Sequence, residues 1–245
     1  MNRKDLPVYV YGVIRSGEHS GGLKRQGVAD APVETIEASG LTAIVSELPS
    51  EDVRAGRNDL FAHWNVLQEV IESADVLPIR FGTVFSSAQD VQSAFLEANT
   101  DSLTRLLDDV RGRVELQVKV DYLEEVIVPE IVSSDRSVQR LRSAVGYASQ
   151  VELGRRFATA LESKRYQDGK NIIDRLRRVA EAVNIGETTR EYGVVDAAFL
   201  VLRSDQSRFD DELENLRKRL ADRLALRCIG PLPPYSFVDA AQVVR

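Results

Sequence analysis

The sequence predicts an α+β protein of two domains, residues 1–111 and 112–245, the second in the ferredoxin-like order. Each half opens on a strand-like run, VYVYGVI at 8–14 and VELQVKVDY at 114–122. In the second run Val114, Leu116, Val118 and Val120 recur at alternate positions, the period of a strand with one buried face. Stretches of three- and four-residue apolar spacing follow in each half, and the RGR at 111–113 ends the last helix of the first, which sets the boundary. The second half then reads strand, helix, two strands, helix, strand, the ferredoxin-like order. The first half places a hairpin ahead of its helices and is therefore no repeat of it.

Taken in order, residues 15–31 are glycine-rich and polar and predict a long loop. ETIEAS and LTAIVSEL flank Gly40 as the arms of a tight hairpin. Leu60, Trp64, Leu67 and Ile71 stripe a helix over 51–73. VLPIRF, 76–81, is a short strand that Pro78 confines to an edge or irregular place. Val91, Phe95, Leu103, Leu106 and Leu107 stripe a second helix over 88–110. In the second half, Glu124 and Glu125 suit the start of a helical turn, where negative charge favours the dipole. Helical sequence then runs over 137–183, with Pro129 and an SSD turn ahead of it and a bend at YQDGK, near Gly169, giving two helices rather than one. Strand-like residues at 188–190 and 194–202 come next. A helix striped by Phe209, Leu213, Leu216, Leu220 and Leu224 and a last strand, LRCI, complete the order.

The 245 residues, 43% of them hydrophobic, suffice for two cores of ordinary size. A net charge of -6 and a pI near 5.2 give no reason to expect a polyanionic partner. Cys228 is the sole cysteine; it excludes an internal disulfide and, within LALRCI, reads as a small buried thiol. The opening residues pass from charge straight to short apolar alternation, with neither a signal-peptide core nor a membrane-length run. The expectation is a soluble, intracellular chain with no membrane partner.

Chemistry-bearing patterns are sparse. The two histidines, His19 and His63, have no cysteine or second histidine beside them to form a zinc set, so neither a metal nor a cofactor is expected. His63, in FAHW, reads as a helix-flanking residue. No GxSxG elbow accompanies the many serines. In SGEHSGGLKRQG, Gly17 and Gly22 have the spacing of a phosphate-binding loop, but Leu23, Lys24 and Arg25 follow where lysine and a hydroxyl are required. A surface loop, or a lid or docking role, fits it better; a small-ligand enzyme using 15–31 is the alternative. Nucleic-acid binding finds its nearest motif in REYGVVDA, 190–197, where Val194 and Ala197 stand in place of stacking aromatics. The basic residues of FDDELENLRKRLADRL follow its acidic ones, as a helix dipole favours, and its apolar stripe has a sheet to cover.

Four segments in order, YVYGVI at 9–14, LPIRFGTVF at 77–85, VELQVKV at 114–120 and GPLPPYSFV at 230–238, together resemble the GvpF/GvpL family of gas vesicle proteins across nearly the whole chain. The resemblance implies two α+β domains, the second a modified ferredoxin-like fold, and a non-enzymatic role in building gas vesicles. It implies partnership with the apolar shell protein GvpA and other Gvp accessory proteins, during assembly or as a minor shell component, with a gas-facing position among the placements. A soluble chaperone absent from the finished vesicle is the alternative. Matching positions mark Arg80, Phe81 and Phe85 in one block and Pro233, Pro234, Tyr235 and Phe237 in the other as partner-binding or interdomain residues. Leu232 stands where many relatives carry tryptophan. Arg80 either joins the domains or holds a partner. Pro233-Pro234 fixes an extended approach that delivers Tyr235 and Phe237 either to the protein's own surface or to a partner.

Overall fold

The computed structural model describes residues 6–18, 23–49, 56–134, 138–140 and 146–238. Contacts divide the chain into two compact units: one takes the residues through Glu115 and again from Pro231, the other is Leu116–Gly230. The fold is α+β, with one sheet in each unit.

The first unit is built on β1 (Val8–Arg15), the strand onto which the rest of the sheet pairs. A hairpin of β2 (Glu34–Ala38) and β3 (Leu41–Glu47) pairs with one side of it, and two short strands, β4 (Leu77–Pro78) and β5 (Val84–Phe85), take the other. The hairpin turns on Ser39 and Gly40, both left-handed, with φ of 51° and 78°. This is the two-residue turn whose twist matches that of the strands. Pro78 lies in the edge strand, where its missing N–H disturbs no ladder.

β1 carries no charged residue from Val8 to Ile14 because both of its faces are covered there. Val8, Val10 and Val13 pack on one side against Phe95, Leu103 and Leu107. Tyr9, Tyr11 and Ile14 pack on the other against Val66, Leu67, Val70 and Ile71. Simple alternation would place Val13 with the tyrosines; the register shift between Val10 and Gly12 is the irregularity that exchanges the faces. Gly12 is needed there for space, since an added Cβ would stand 2.8 Å from Val76 and 2.9 Å from Leu67 side-chain carbons.

The helices of this unit are α1 (Arg57–Ile71), α2 (Ala88–Asp90), which continues as a π-helix over Val91–Glu97, and α3 (Thr100–Asp109). The single helix expected over 88–110 is therefore broken. Asn99 donates its side-chain amide to the carbonyls of Ala94 and Phe95, at 3.1 and 2.8 Å, and Thr100 donates its hydroxyl to Leu96. These bonds satisfy carbonyls that a continuous helix would have used.

The second unit is built on β6 (Arg113–Tyr122, from Leu116 onward), α4 (Glu124–Ser134), α5 (Tyr147–Leu176), β7 (Ala182–Ile185), β8 (Gly193–Leu202), α6 (Gln206–Leu220) and β9 (Leu224–Leu232, as far as Gly230). Its strands lie in the order β7-β8-β6-β9. Leu116, Val118, Val120 and Tyr122 of β6 meet Ile127 and Ile131 of α4, Leu161 and Ile172 of α5 and Phe209, Leu213 and Leu216 of α6. Beside this core, Asp168 accepts from Tyr122 Oη at 2.7 Å and pairs with Arg223, which also pairs with Glu130, both at 3.0 Å.

Several expectations change here. α5 runs unbroken through Gly169, whose bare Cα allows close approach to β8: an added Cβ would lie 3.0 Å from the Val194 carbonyl oxygen. Val183 belongs to β7, paired antiparallel with Phe199, and residues 188–190 form the connection that follows. Pro129 lies inside α4, and Leu224 starts the last strand rather than ending the helical stripe. The division expected at 111/112 and the contact boundary at Glu115/Leu116 differ by a few residues. The closing segment, expected with the second domain, packs with the first unit. Its anchor is Glu115, a buried carboxylate that accepts from both the N–H and the hydroxyl of Ser236 at 2.8 Å.

Candidate functional site

Helix α1 carries apolar residues on two faces. The inner face, His63, Val66, Leu67, Val70 and Ile71, is buried against the tyrosine side of β1. On the outer face Leu60, Phe61 and Trp64 are 52%, 53% and 42% exposed. The expected inward stripe thus holds for Leu67 and Ile71 only. His63 takes the place nearest the strand because Tyr9 offers it a hydroxyl, which an inward Trp64 ring carbon could not use.

Leu60, Phe61 and Trp64, with Phe81, Tyr235 and the edge of His63, wall a groove of about 440 Å³. Phe81 is positioned by a tight turn: Thr83 N–H donates to Arg80 O at 3.2 Å, and Gly82 supplies the required positive φ of 88°. Tyr235 opens a short 3-10 turn, Tyr235–Phe237, after the buried Pro233 and Pro234. Ser236, held by Glu115, fixes the turn. Pro234 is thus the entry to a turn, with ψ of 55°, rather than the end of an extended approach.

A buried chain of hydrogen bonds runs beneath the groove. Gly82 N–H donates to Tyr9 Oη at 3.1 Å, Tyr9 Oη lies 2.8 Å from His63 Nδ1, and His63 Nε2 lies 2.6 Å from Tyr235 Oη. Tyr9 is fully buried, and among the described residues His63 Nδ1 is the acceptor within reach of its hydroxyl hydrogen. Tyr9 therefore donates to Nδ1, and His63 carries its proton on Nε2 and donates it to Tyr235. Burial keeps the imidazole neutral, lowering its pKa to about 4, and pushes both phenols above their ordinary range.

A second chain lies alongside: Val28 N–H donates to Tyr11 Oη at 2.8 Å, Tyr11 bonds Ser46 at 2.9 Å, and Ser46 donates to the Pro32 carbonyl at 2.8 Å. It ties down the later part of the 15–31 surface loop. Lys24 N–H on Glu69 and Ala29 N–H on Asp59, both at 3.0 Å, fasten that part to α1. His19 and Gly22 lie outside the described residues. Among the described residues no group of three or more His, Cys, Asp or Glu side chains is placed to hold a metal, and no helix is long and apolar enough to cross a membrane. With neutral imidazole and protonated phenols, the groove offers an apolar surface and a single hydroxyl donor. That is the chemistry of a binding surface.

The gas vesicle synthesis protein GvpL/GvpF family matches residues 7–239. The chain belongs to this family. Gas vesicle protein F of Streptomyces sp. (strain CB03234) is 34% identical to it over 96% of this chain and 100% of that one. Gas vesicle protein F1 of Halobacterium salinarum is 27% identical over 95% and 92%. The crystal structure of GvpF from Anabaena sp. PCC7120 has the same fold, with a TM-score of 0.83 at 23% identity over 96% and 98% of the two chains. GvpF from Microcystis aeruginosa superposes with a TM-score of 0.79 at 22% identity, over 95% and 98%. Membership gives the chain a non-enzymatic role in gas vesicles, in their assembly or in association with their shell.

In this GvpL/GvpF protein the two blocks singled out by sequence meet at the groove, but only in part. Phe81 and Tyr235 both line it, and Phe81 stands edge-on to Tyr9 and His63 with ring centres 6.1 and 5.6 Å apart. Phe85 turns to the opposite face of the sheet and packs on Phe95 at 5.2 Å. Pro233 and Pro234 are buried supports, Phe237 is half-buried, and Arg80 is exposed. Sequence reasoning missed His63, Tyr9 and Glu115. The signals were a histidine one position from a buried stripe, two tyrosines alternating in a strand and a lone carboxylate inside VELQVKV.

Proposed function

We propose that this chain is an assembly or shell-associated protein that binds the apolar shell subunit GvpA through the groove of its first unit. The observation that carries this is the outer face of α1: three large apolar residues stand exposed where a helix of a monomeric protein is ordinarily polar, and Phe81 and Tyr235 extend them into a groove. A shell subunit with a large apolar surface needs such a partner before assembly, since uncovered apolar surface aggregates. Arg80, Phe81 and Tyr235 are the contact residues; Phe85, Pro233, Pro234 and Phe237 shape the surface that presents them. The second unit is in this reading a modified ferredoxin-like domain, which its strand order supports.

Binding of the purified chain to freshly made GvpA tests the proposal, with the intact protein compared against a Phe61→Ser/Trp64→Ser variant. Both positions are exposed, so the variant keeps its fold. Saturable binding that the variant loses supports the groove as the contact. Equal binding by the two proteins moves the contact elsewhere, and absence of binding by either removes GvpA as the direct partner.

A further inference from the structure

The groove's remaining hydrogen-bond capacity and its neighbouring cations specify what enters it. Tyr235 Oη accepts from His63 Nε2, 2.6 Å away, so its own hydroxyl hydrogen is left to donate, and among the described residues no acceptor takes it. Two cations neighbour the groove's aromatic residues, one in space and one in sequence. The Arg57 guanidinium lies over the Phe61 ring, 5.7 Å from its centre, and the exposed Arg80 adjoins Phe81. Among the described residues neither arginine has a carboxylate partner. Asp59, on the same helix, is turned instead to Ala29 N–H at 3.0 Å. An apolar slot whose hydroxyl donor and neighbouring arginines have no acceptor or carboxylate partner among the described residues is complementary to apolar side chains, one acceptor and negative charge.

We infer that the groove takes an acidic amphipathic segment of a protein partner: an apolar side chain fills the space between Trp64 and Phe81, an acceptor meets the Tyr235 hydroxyl, and flanking carboxylates meet Arg57 and Arg80. This is the helix-in-groove mode of recognition, with acidic residues selecting the partner. The inference rests on the groove being a partner-binding surface and adds the chemistry that the surface selects.

Trp64 is the chain's sole tryptophan, so its fluorescence reports occupancy of the groove directly. The full chain is titrated with a short capped helical peptide carrying leucines on one face and glutamates flanking them, and with a twin in which lysines replace the glutamates; neither contains tryptophan. The acidic peptide is expected to shift Trp64 emission to the blue, saturably, and to bind at least about tenfold more tightly than the twin. The preference shrinks as salt is added. An Arg57→Glu/Arg80→Glu variant reverses it. That variant folds, since Arg80 is exposed and a glutamate in the first turn of α1 is favoured by the helix dipole. Equal binding of the two peptides, an unaltered preference in the variant, or no response of Trp64 overturns the inference. So does a blue shift that appears on concentrating the protein alone together with doubling of its sedimentation mass, which assigns the groove to a second copy. A parallel titration with GvpA separates this from the proposed function: GvpA binding insensitive to the two arginines sinks only the acidic-segment inference, while acidic-peptide binding without GvpA binding sinks only GvpA as the occupant.

Discussion

Protonating His63 places a second N–H against Tyr9, whose own hydroxyl hydrogen then loses its acceptor. Burial favours the neutral ring, and the pKa falls from 6.5 to about 4. A histidine whose folded pKa is lowered contributes stability that is complete above pH 6.5 and is lost as pH falls toward 4. The full contribution is about 3 kcal/mol at 1.36 kcal/mol per pH unit. Glu115 acts in the opposite direction, because burial raises its pKa and proton uptake there favours the folded state as pH falls. Urea midpoints measured at steps between pH 7 and pH 4 are therefore expected to drop less steeply in His63→Phe than in the intact chain; parallel profiles would mean that His63 is not the group responsible. Tyr235→Phe leaves His63 Nε2–H without its protein acceptor and is expected to cost about 1–3 kcal/mol in the same assay. Gly27 offers a sterically separate case. An added Cβ there would lie 2.1 Å from Tyr11 Oη and 2.7 Å from Ser46 Oγ, so Gly27→Ala must displace the second hydrogen-bonded chain. The expected loss is about 1–3 kcal/mol or more, the range for overpacking, and a midpoint within error of the unaltered protein would contradict it.

At the scale of elements, the short 3-10 turn Tyr235–Phe237 is held by Glu115, near the start of β6, and by the His63 bond to Tyr235. Ser236→Ala removes one of the two donors to a buried carboxylate, and amide hydrogens over 232–238 are expected to exchange faster while those of β8 do not change. Uniform acceleration of both would mean global rather than local loosening. The longer strands and most helices were legible because their periods are strong: β6 was expected over 114–122 and spans Arg113–Tyr122. The hairpin at Gly40 followed from the two strand-like arms that flank the glycine. What the sequence hid was decided by partners distant in the chain. The inner face of α1 was misread because apolar spacing does not distinguish Trp64 from His63, and the hydroxyl that draws His63 inward belongs to Tyr9, 54 residues away. Gly169 read as a bend because helix propensity penalises glycine, whereas the glycine serves close approach to β8. The groove joins α1, the Arg80–Thr83 turn and the closing segment, so no local pattern contained it.

For the whole molecule, the proposed contact with the shell subunit is the apolar groove of the first unit. It leaves the second unit's exposed positions out of that contact. Ile185 in β7 provides the comparison, being 55% exposed against 53% for Phe61. A photo-crosslinking aromatic amino acid placed singly at position 61 or at position 185, in cells assembling gas vesicles, tests the proposed contact most directly. Position 61 is expected to capture GvpA and position 185 is not; equal capture from both, or capture from 185 alone, would place the contact elsewhere.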